Sequence, residues 1–164
     1  MELSASADVL EVREDLVKGL DPDWLRSVFS GQLLYTLRSR EEGGRSESSG
    51  DRRHRRILEA SRSFDLVDLE MQRDFSPALL SSIEPSQRII SWHGPPSSLV
   101  SLQGVLDQMS SEAARYYKII PGADQPRQEM APLGHHSSLH RRREPPNGAR
   151  SSVSRFLYDP TQKR

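Results

Sequence analysis

Residues 51–75, DRRHRRILEASRSFDLVDLEMQRDF, decide how the rest of the chain is read. Counted on a helix, Ile57, Ala60, Phe64, Val67, Met71 and Phe75 project within an arc of about 80°. Asp51 stands where an N-cap would stand, and Ser76-Pro77 closes the segment because a residue before proline avoids helical angles. The stretch is therefore predicted as one Arg-rich amphipathic helix over 51–76. Arg52, Arg53, Arg55 and Arg56 crowd its first turns, where the helix dipole is already positive. Each exposed charge there costs about 0.3–1 kcal/mol. The arrangement makes sense if an anion sits at that end, met by backbone N–H groups and guanidinium forks together.

Reading outward, SASADVLEVREDLVKGLDP sets Val9, Val12, Leu16 and Leu20 at spacings of three and four, with Ser6 as a cap and Gly19 as a stop. Asp21-Pro22 restarts the chain as an N-cap followed by proline at the first helical position. Trp24, Val28 and Tyr35 then share one flank of a second helix, with Leu25 and Phe29 beside them. Residues 1–42 are thus predicted as an acidic amphipathic helical pair, and 43–50 as a flexible linker. Residues 77–97 read as a Pro/Ser connector in which Arg88 to Trp92 could form one short strand with no obvious partner. Residues 98–120 read as an amphipathic helix carrying Leu99, Leu102, Leu106, Met109, Ala113 and Tyr116. Residues 121–164, rich in Pro, Ser and Arg, read as a disordered basic tail. The predicted fold class is mainly α: a small, loose bundle of about four short amphipathic helices with disordered linkers and that tail.

The formal net charge of zero is a cancellation between blocks: residues 1–42 carry −4, 43–63 carry +3, 64–84 carry −4, 85–120 carry +1 and 121–164 carry +4. Of 23 basic residues all but Lys18, Lys118 and Lys163 are Arg, the group better suited to bidentate phosphate contact. A biased coding sequence would give the same preference. The absence of Cys excludes disulfides and thiolate chemistry. No apolar run approaches the ~18 residues of a spanning helix, so no membrane contact is expected. The start, MELSASADVLEVRED, is acidic and lacks a signal-peptide core, which points to an intracellular protein, with the nucleus favoured and the cytoplasm allowed.

No GxSxG, HExxH or P-loop pattern occurs, and His54, His93, His135, His136 and His140 fall in segments read as linkers or tail. Catalysis needs locked geometry, so no enzyme and no cofactor are expected. His135, His136 and His140 lack a Cys to complete a structural zinc site and are read as solvated, so no metal is expected either. The remaining signals are basic and apolar. Arg52, Arg53, Arg55, Arg56 and Arg62, helped by Arg141, Arg142 and Arg143, are the expected contacts to nucleic-acid phosphates, RNA favoured. Asp65, Asp68, Glu70 and Asp74 confine that basic surface to the helix's first half. Phe64, Val67, Met71, Leu99, Leu102, Leu106 and Met109 form stripes suited to a protein partner or to self-association, or to packing on one another. The expected function is a small non-enzymatic regulatory protein joining nucleic acid to protein. The alternative is a pure adaptor whose basic runs are nuclear import signals.

Overall fold

Alternation, not the helical period, governs the second half of the opening stretch. In the computed structural model, which describes residues 7–95 and 97–122 and the backbone of 156–158, Leu66–Glu70 is a strand with all five residues buried. Leu66, Asp68 and Glu70 point to one face, Val67 and Leu69 to the other. The helix that precedes it covers only Gly50–Ala60, with Ser49 rather than Asp51 as its N-cap, and a turn at Ser61–Ser63 separates the two. A strand buried on both faces loses the polar-outside alternation that would betray it. Its acids instead mimic the wet side of a helix.

The same division runs along the chain. Strands β1 (Val9–Arg13), β2 (Gln32–Thr36), β3 (Leu66–Glu70), β4 (Arg88–Gly94) and β5 (Tyr116–Pro121) alternate with helices α1 (Pro22–Val28), α2 (Gly50–Ala60), α3 (Met71–Asp74), α4 (Pro77–Ser81) and α5 (Leu99–Met109). The sheet order is β1-β2-β3-β4-β5-β6; the first five strands are parallel, and β6 (Phe156–Tyr158) pairs antiparallel with β5. The architecture is an α/β half-barrel, so the predicted mainly α bundle is corrected. Two local signals were read in the right place: Asp21 accepts the Asp23 N–H at 2.9 Å with Pro22 opening α1, and the suspected strand at Arg88–Trp92 is β4, with partners on both sides. The predicted helices over the first 42 residues and over 98–120 each give way to a strand: β1 and β2 in the first, β5 in the second. The predicted disordered tail lies outside the described residues except for 121–122 and the backbone of β6.

The outer sheet face carries the apolar core. Val12, Leu33, Tyr35, Leu37, Val67 and Leu69 pack against Leu25, Phe29, Ile57 and Leu79 from the helices. Ile90, Trp92 and Tyr117 pack against Met71, Leu102 and Met109. On the inner face the floor is apolar: Leu34, Leu66 and Ile89, with Val9 and Tyr116 beside them. Above that floor, toward the C-terminal ends of the strands, the inner face turns polar.

The residues assigned to partner docking therefore do their burying within the chain. Phe64, Val67, Met71, Leu102 and Met109 are buried, Leu106 packs partly against the second cluster, and Leu99 stays 41% exposed. Urea unfolding should register the difference. Met109→Ala, at a fully buried site, should lower stability by about 2–5 kcal/mol, and Leu99→Ala by less than about 1 kcal/mol. Equal costs would contradict this packing.

Candidate active site

Polar groups reach the inner face because each occupies an odd or even strand position that alternation turns inward. Glu11 (β1), Thr36 (β2), Asp68 (β3), Ser91 (β4) and Lys118 (β5) lie above the floor. Arg13, Arg38, Glu70 and His93 follow two residues further along their strands or just past them. Glu42 joins from the loop after β2. That loop folds back tightly at Gly43 (φ 81°) and at Gly44, where a Cβ would meet the Arg38 carbonyl oxygen at 2.2 Å. The Gly44 N–H donates to Ser39 O at 2.7 Å, and the fold-back returns Glu42 to Arg38.

Arg38 is the hub, at 2% exposure. Its Nη2 donates to Asp68 Oδ2 at 2.7 Å, and its Nη1 to Glu42 Oε2 at 2.8 Å, to Ser91 Oγ at 3.0 Å and to Glu70 Oε1 at 3.1 Å. Burial alone would lower its affinity for a proton; the charges of Asp68, Glu70 and Glu42 outweigh that and hold the guanidinium above its ordinary value. Lys118, 3% exposed, donates to Asp68 Oδ2 at 3.2 Å and to Glu11 Oε1 at 3.3 Å, and the Thr36 hydroxyl donates to the same Glu11 oxygen at 2.9 Å. Burial pushes the Asp68 carboxyl up, but Arg38, Lys118 and the Ser91 hydroxyl bond together hold it well below the carboxylate range.

Glu42 behaves oppositely. Burial and the neighbouring Glu70 charge push it up to about 8 against the pull of Arg38. Its Oε2 lies 2.8 Å from His93 Nδ1, while its buried Oε1 makes no hydrogen bond. Glu42 is thus pushed toward its protonated form beside an imidazole. At the mouth, Arg13 pairs with Asp15 through Nε at 2.8 Å and Nη2 at 2.7 Å, and Asp15 also accepts the Arg45 N–H at 3.0 Å, which ties the loop to β1. The site so assembled has a buried primary amine, an imidazole coupled to a carboxyl, and fixed cations. Those are the parts for covalent carbonyl chemistry with proton transfer. Among the described residues no group of His, Asp and Glu is arranged to hold a metal ion; cations interleave the carboxylates instead.

The arginines of the opening stretch sit elsewhere. Arg53 is 1% exposed and forked onto Asp74, Nε to Oδ1 at 2.7 Å and Nη2 to Oδ2 at 2.8 Å. Arg56 donates to Glu14 Oε1 at 2.8 Å. The acids that answer the positive helix entrance are thus the protein's own. Arg52, Arg55 and Arg62 are exposed, and Arg141, Arg142 and Arg143 lie outside the described residues, as do His135, His136 and His140. Sequence reasoning missed Glu11, Arg38, Glu42, Asp68, Glu70 and Lys118, and set His93 aside as a linker residue. The legible signal was polar residues alternating with apolar ones in LVDLE and YYKII, with Lys118 standing out in a lysine-poor chain.

A separate cavity of about 400 Å³, lined by Phe75, Pro77, Leu80, Ser81, Arg88 and Glu112, opens at the opposite end of the strands. Its Arg88 guanidinium is engaged by the carbonyls of Leu80, Ile83 and Ala113, and none of the inner-face cluster reaches it.

The family model described as type I 3-dehydroquinase matches residues 1–143. A 3-dehydroquinate dehydratase of Pyrococcus abyssi is 29% identical over 136 residues, 77% of this chain and 61% of that protein. One from Methanothrix thermoacetophila is 37% identical over 105 residues, 60% of this chain and 45% of that protein. Among solved structures, the type I 3-dehydroquinate dehydratase of Clostridium difficile with covalently modified comenic acid superposes with a TM-score of 0.63 at 22% identity, over 77% of this chain and 57% of that one. The Geobacillus kaustophilus enzyme gives 0.60 at 22% identity, over 76% and 55%. The chain thus spans about half to three fifths of the length of the relatives it matches.

These matches overturn the non-enzymatic reading in both its forms, the RNA-contacting regulator and the pure adaptor. The nuclear placement, which rested on basic runs as import signals, loses its support with them. By a family match over most of its length, on the strands that build the polar inner face, the chain belongs to the type I 3-dehydroquinase family.

Proposed function

We propose that the polar face of this half-barrel dehydrates 3-dehydroquinate inside the cell, with Lys118 as the covalent nucleophile. The observation that carries the reading is the buried Lys118 amine between Glu11 and Asp68, on the same face as the Glu42–His93 pair. The relatives' name specifies a keto acid that loses water. Elimination from such a substrate is easiest when the carbonyl first becomes an imine, because the imine draws the electrons released by the departing α proton.

The ammonium must first give up a proton. Asp68 is held too acidic to take it, which leaves Glu11 Oε1 at 3.3 Å as the acceptor in reach. Lys118 Nζ then bonds to the ketone carbon; the carbonyl oxygen takes one proton from the amine and one back from Glu11 and leaves as water, so that the imine stays protonated. His93 removes the proton from the carbon next to the imine, and the electron pair moves onto nitrogen as an enamine. The enamine expels the hydroxyl one carbon further on, which takes the proton back from His93 and departs as water. Hydrolysis of the remaining imine returns the Lys118 amine. Among the described residues the inner face carries Arg13, Arg38 and Lys118, of which Arg13 is the accessible one at 26% side-chain exposure, and its Nη1 takes no part in the Asp15 pair. It is placed to meet the substrate's carboxylate.

Borohydride reduction in the presence of 3-dehydroquinate should fix the substrate skeleton on Lys118, read as a peptide mass shift. Lys118→Met should give no adduct and lose at least about 10³-fold in dehydration rate. An unmodified Lys118 under turnover conditions contradicts the reading. His93→Ala should slow dehydration by about 10²–10⁴-fold.

The Glu42 proton has its own signature. Its folded value near 8 lies above its unfolded value, so the folded state binds the extra proton and stability falls as pH rises from about 4.5 to 8. Glu42→Gln should remove that slope, so that the difference in unfolding free energy between the two proteins changes by at least about 1 kcal/mol across this window. Parallel curves would show that Glu42 is ionised throughout.

A further inference from the structure

Behind the reactive face lies a further buried cation that the reaction does not touch. Arg53, on α2, forks onto Asp74 and donates through Nη1 to the Leu37 carbonyl at 2.6 Å, immediately before Arg38 in the chain. Asp74 Oδ2 in turn accepts the Glu70 N–H at 2.8 Å. Glu70 stands between the two arginines. Its Oε1 accepts from Arg38 Nη1 at 3.1 Å and from the Ser39 N–H at 2.8 Å. Its Oε2 makes no hydrogen bond and is held by charge alone, from Arg53 Nη2 at 3.3 Å and Arg73 Nε at 3.9 Å. From there the contacts continue through Arg38 Nη1 to Glu42 Oε2 at 2.8 Å and on to His93 Nδ1 at 2.8 Å.

We propose that Arg53 is a positioning residue, which through Glu70 and Arg38 sets the place and the charge of the Glu42–His93 pair. Its catalytic meaning rests on the dehydratase reading above; its electrostatic content does not. Arg38 serves three carboxylates at once. Arg53 takes a share of Glu70, and so leaves Arg38 free to hold Glu42 against His93. Without Arg53, Glu70 draws Arg38 toward itself, Glu42 loses its partner, and the potential at His93 becomes more negative. The groups facing this path are Arg38, Arg53, Arg73 and Asp74 around Glu70; Arg38, Asp68, Glu70 and His93 around Glu42; and Glu42 and Asp68 around His93. His54 Nε2, 3.9 Å from Asp74 Oδ1, and Glu41, paired with Arg73, stand at the outer end.

Nitrogen-15 NMR of the histidine rings in the full chain, with the His93 signal assigned from a His93→Gln spectrum, reads the effect without substrate. In Arg53→Met the His93 titration midpoint should move up by about one pH unit, and Arg53→Lys should recover at least half of that. If Arg53→Met fails to fold, Glu70→Gln breaks the same link from the other side and should move the midpoint down. A folded Arg53→Met or Glu70→Gln protein whose midpoint matches the wild type overturns the proposal. In the dehydration assay Arg53→Met should lose about 10-fold or more in kcat with KM changed less than about 3-fold, and Arg53→Lys should restore most of it. A wild-type chain that forms no Lys118 adduct would sink the dehydratase reading while leaving the His93 titration to decide this one.

Discussion

A guanidinium shared by three buried carboxyl groups is what allows the inner face of this sheet to be polar at all. A carboxylate taken out of water costs several kcal/mol even after the surroundings relax. Glu42, Asp68 and Glu70 are all buried within reach of one another, so they need a common cation. Arg38 provides it from the end of β2, and its planar fork can face several acceptors where an ammonium could not. Lys118 meets the same Asp68 Oδ2 from β5, and Arg53 takes the far side of Glu70. Remove the hub, and each remaining charge becomes a separate liability.

Stability and chemistry are accordingly placed on opposite sides of the same strands. The outer face is closed by apolar side chains from the helices, and beneath the inner face lies the floor of Leu34, Leu66 and Ile89. The inner face above that floor is where the chain tolerates opposed charges, and where groups of one kind take different states. Asp68 is held ionised by two cations, whereas Glu42, with one cation and two like charges, is pushed toward its protonated form. Two carboxyls driven apart in this way mark a face organised for proton traffic rather than for holding the fold.

Why these features hid in the sequence is a matter of burial. Where the local signal was a cap, as at Asp21-Pro22, it was legible, because capping chemistry depends on residues that are neighbours in the chain. Strand β4 showed itself through the run Arg88 to Trp92, but a parallel partner lies tens of residues away and leaves no local trace. In β3 and β5 the inward positions carry Asp68, Glu70 and Lys118, so alternation of apolar and charged residues looked like a wet helical face instead of two dry sheet faces. The Arg-rich entrance of α2 misled for a related reason: its anions exist, but they are Asp74 and Glu14, brought in by the fold. The site residues come from five strands and one loop, and only the register of the sheet unites them.

The most direct test of this account is a double-mutant cycle between Arg38 and Asp68, residues that lie on different strands. Urea unfolding of Arg38→Met, Asp68→Asn and the double variant should give a coupling energy of about 2–3 kcal/mol, as expected for a buried ion pair on one shared face. A coupling below about 0.5 kcal/mol would mean that the two side chains do not meet, and the half-barrel site described above would be contradicted.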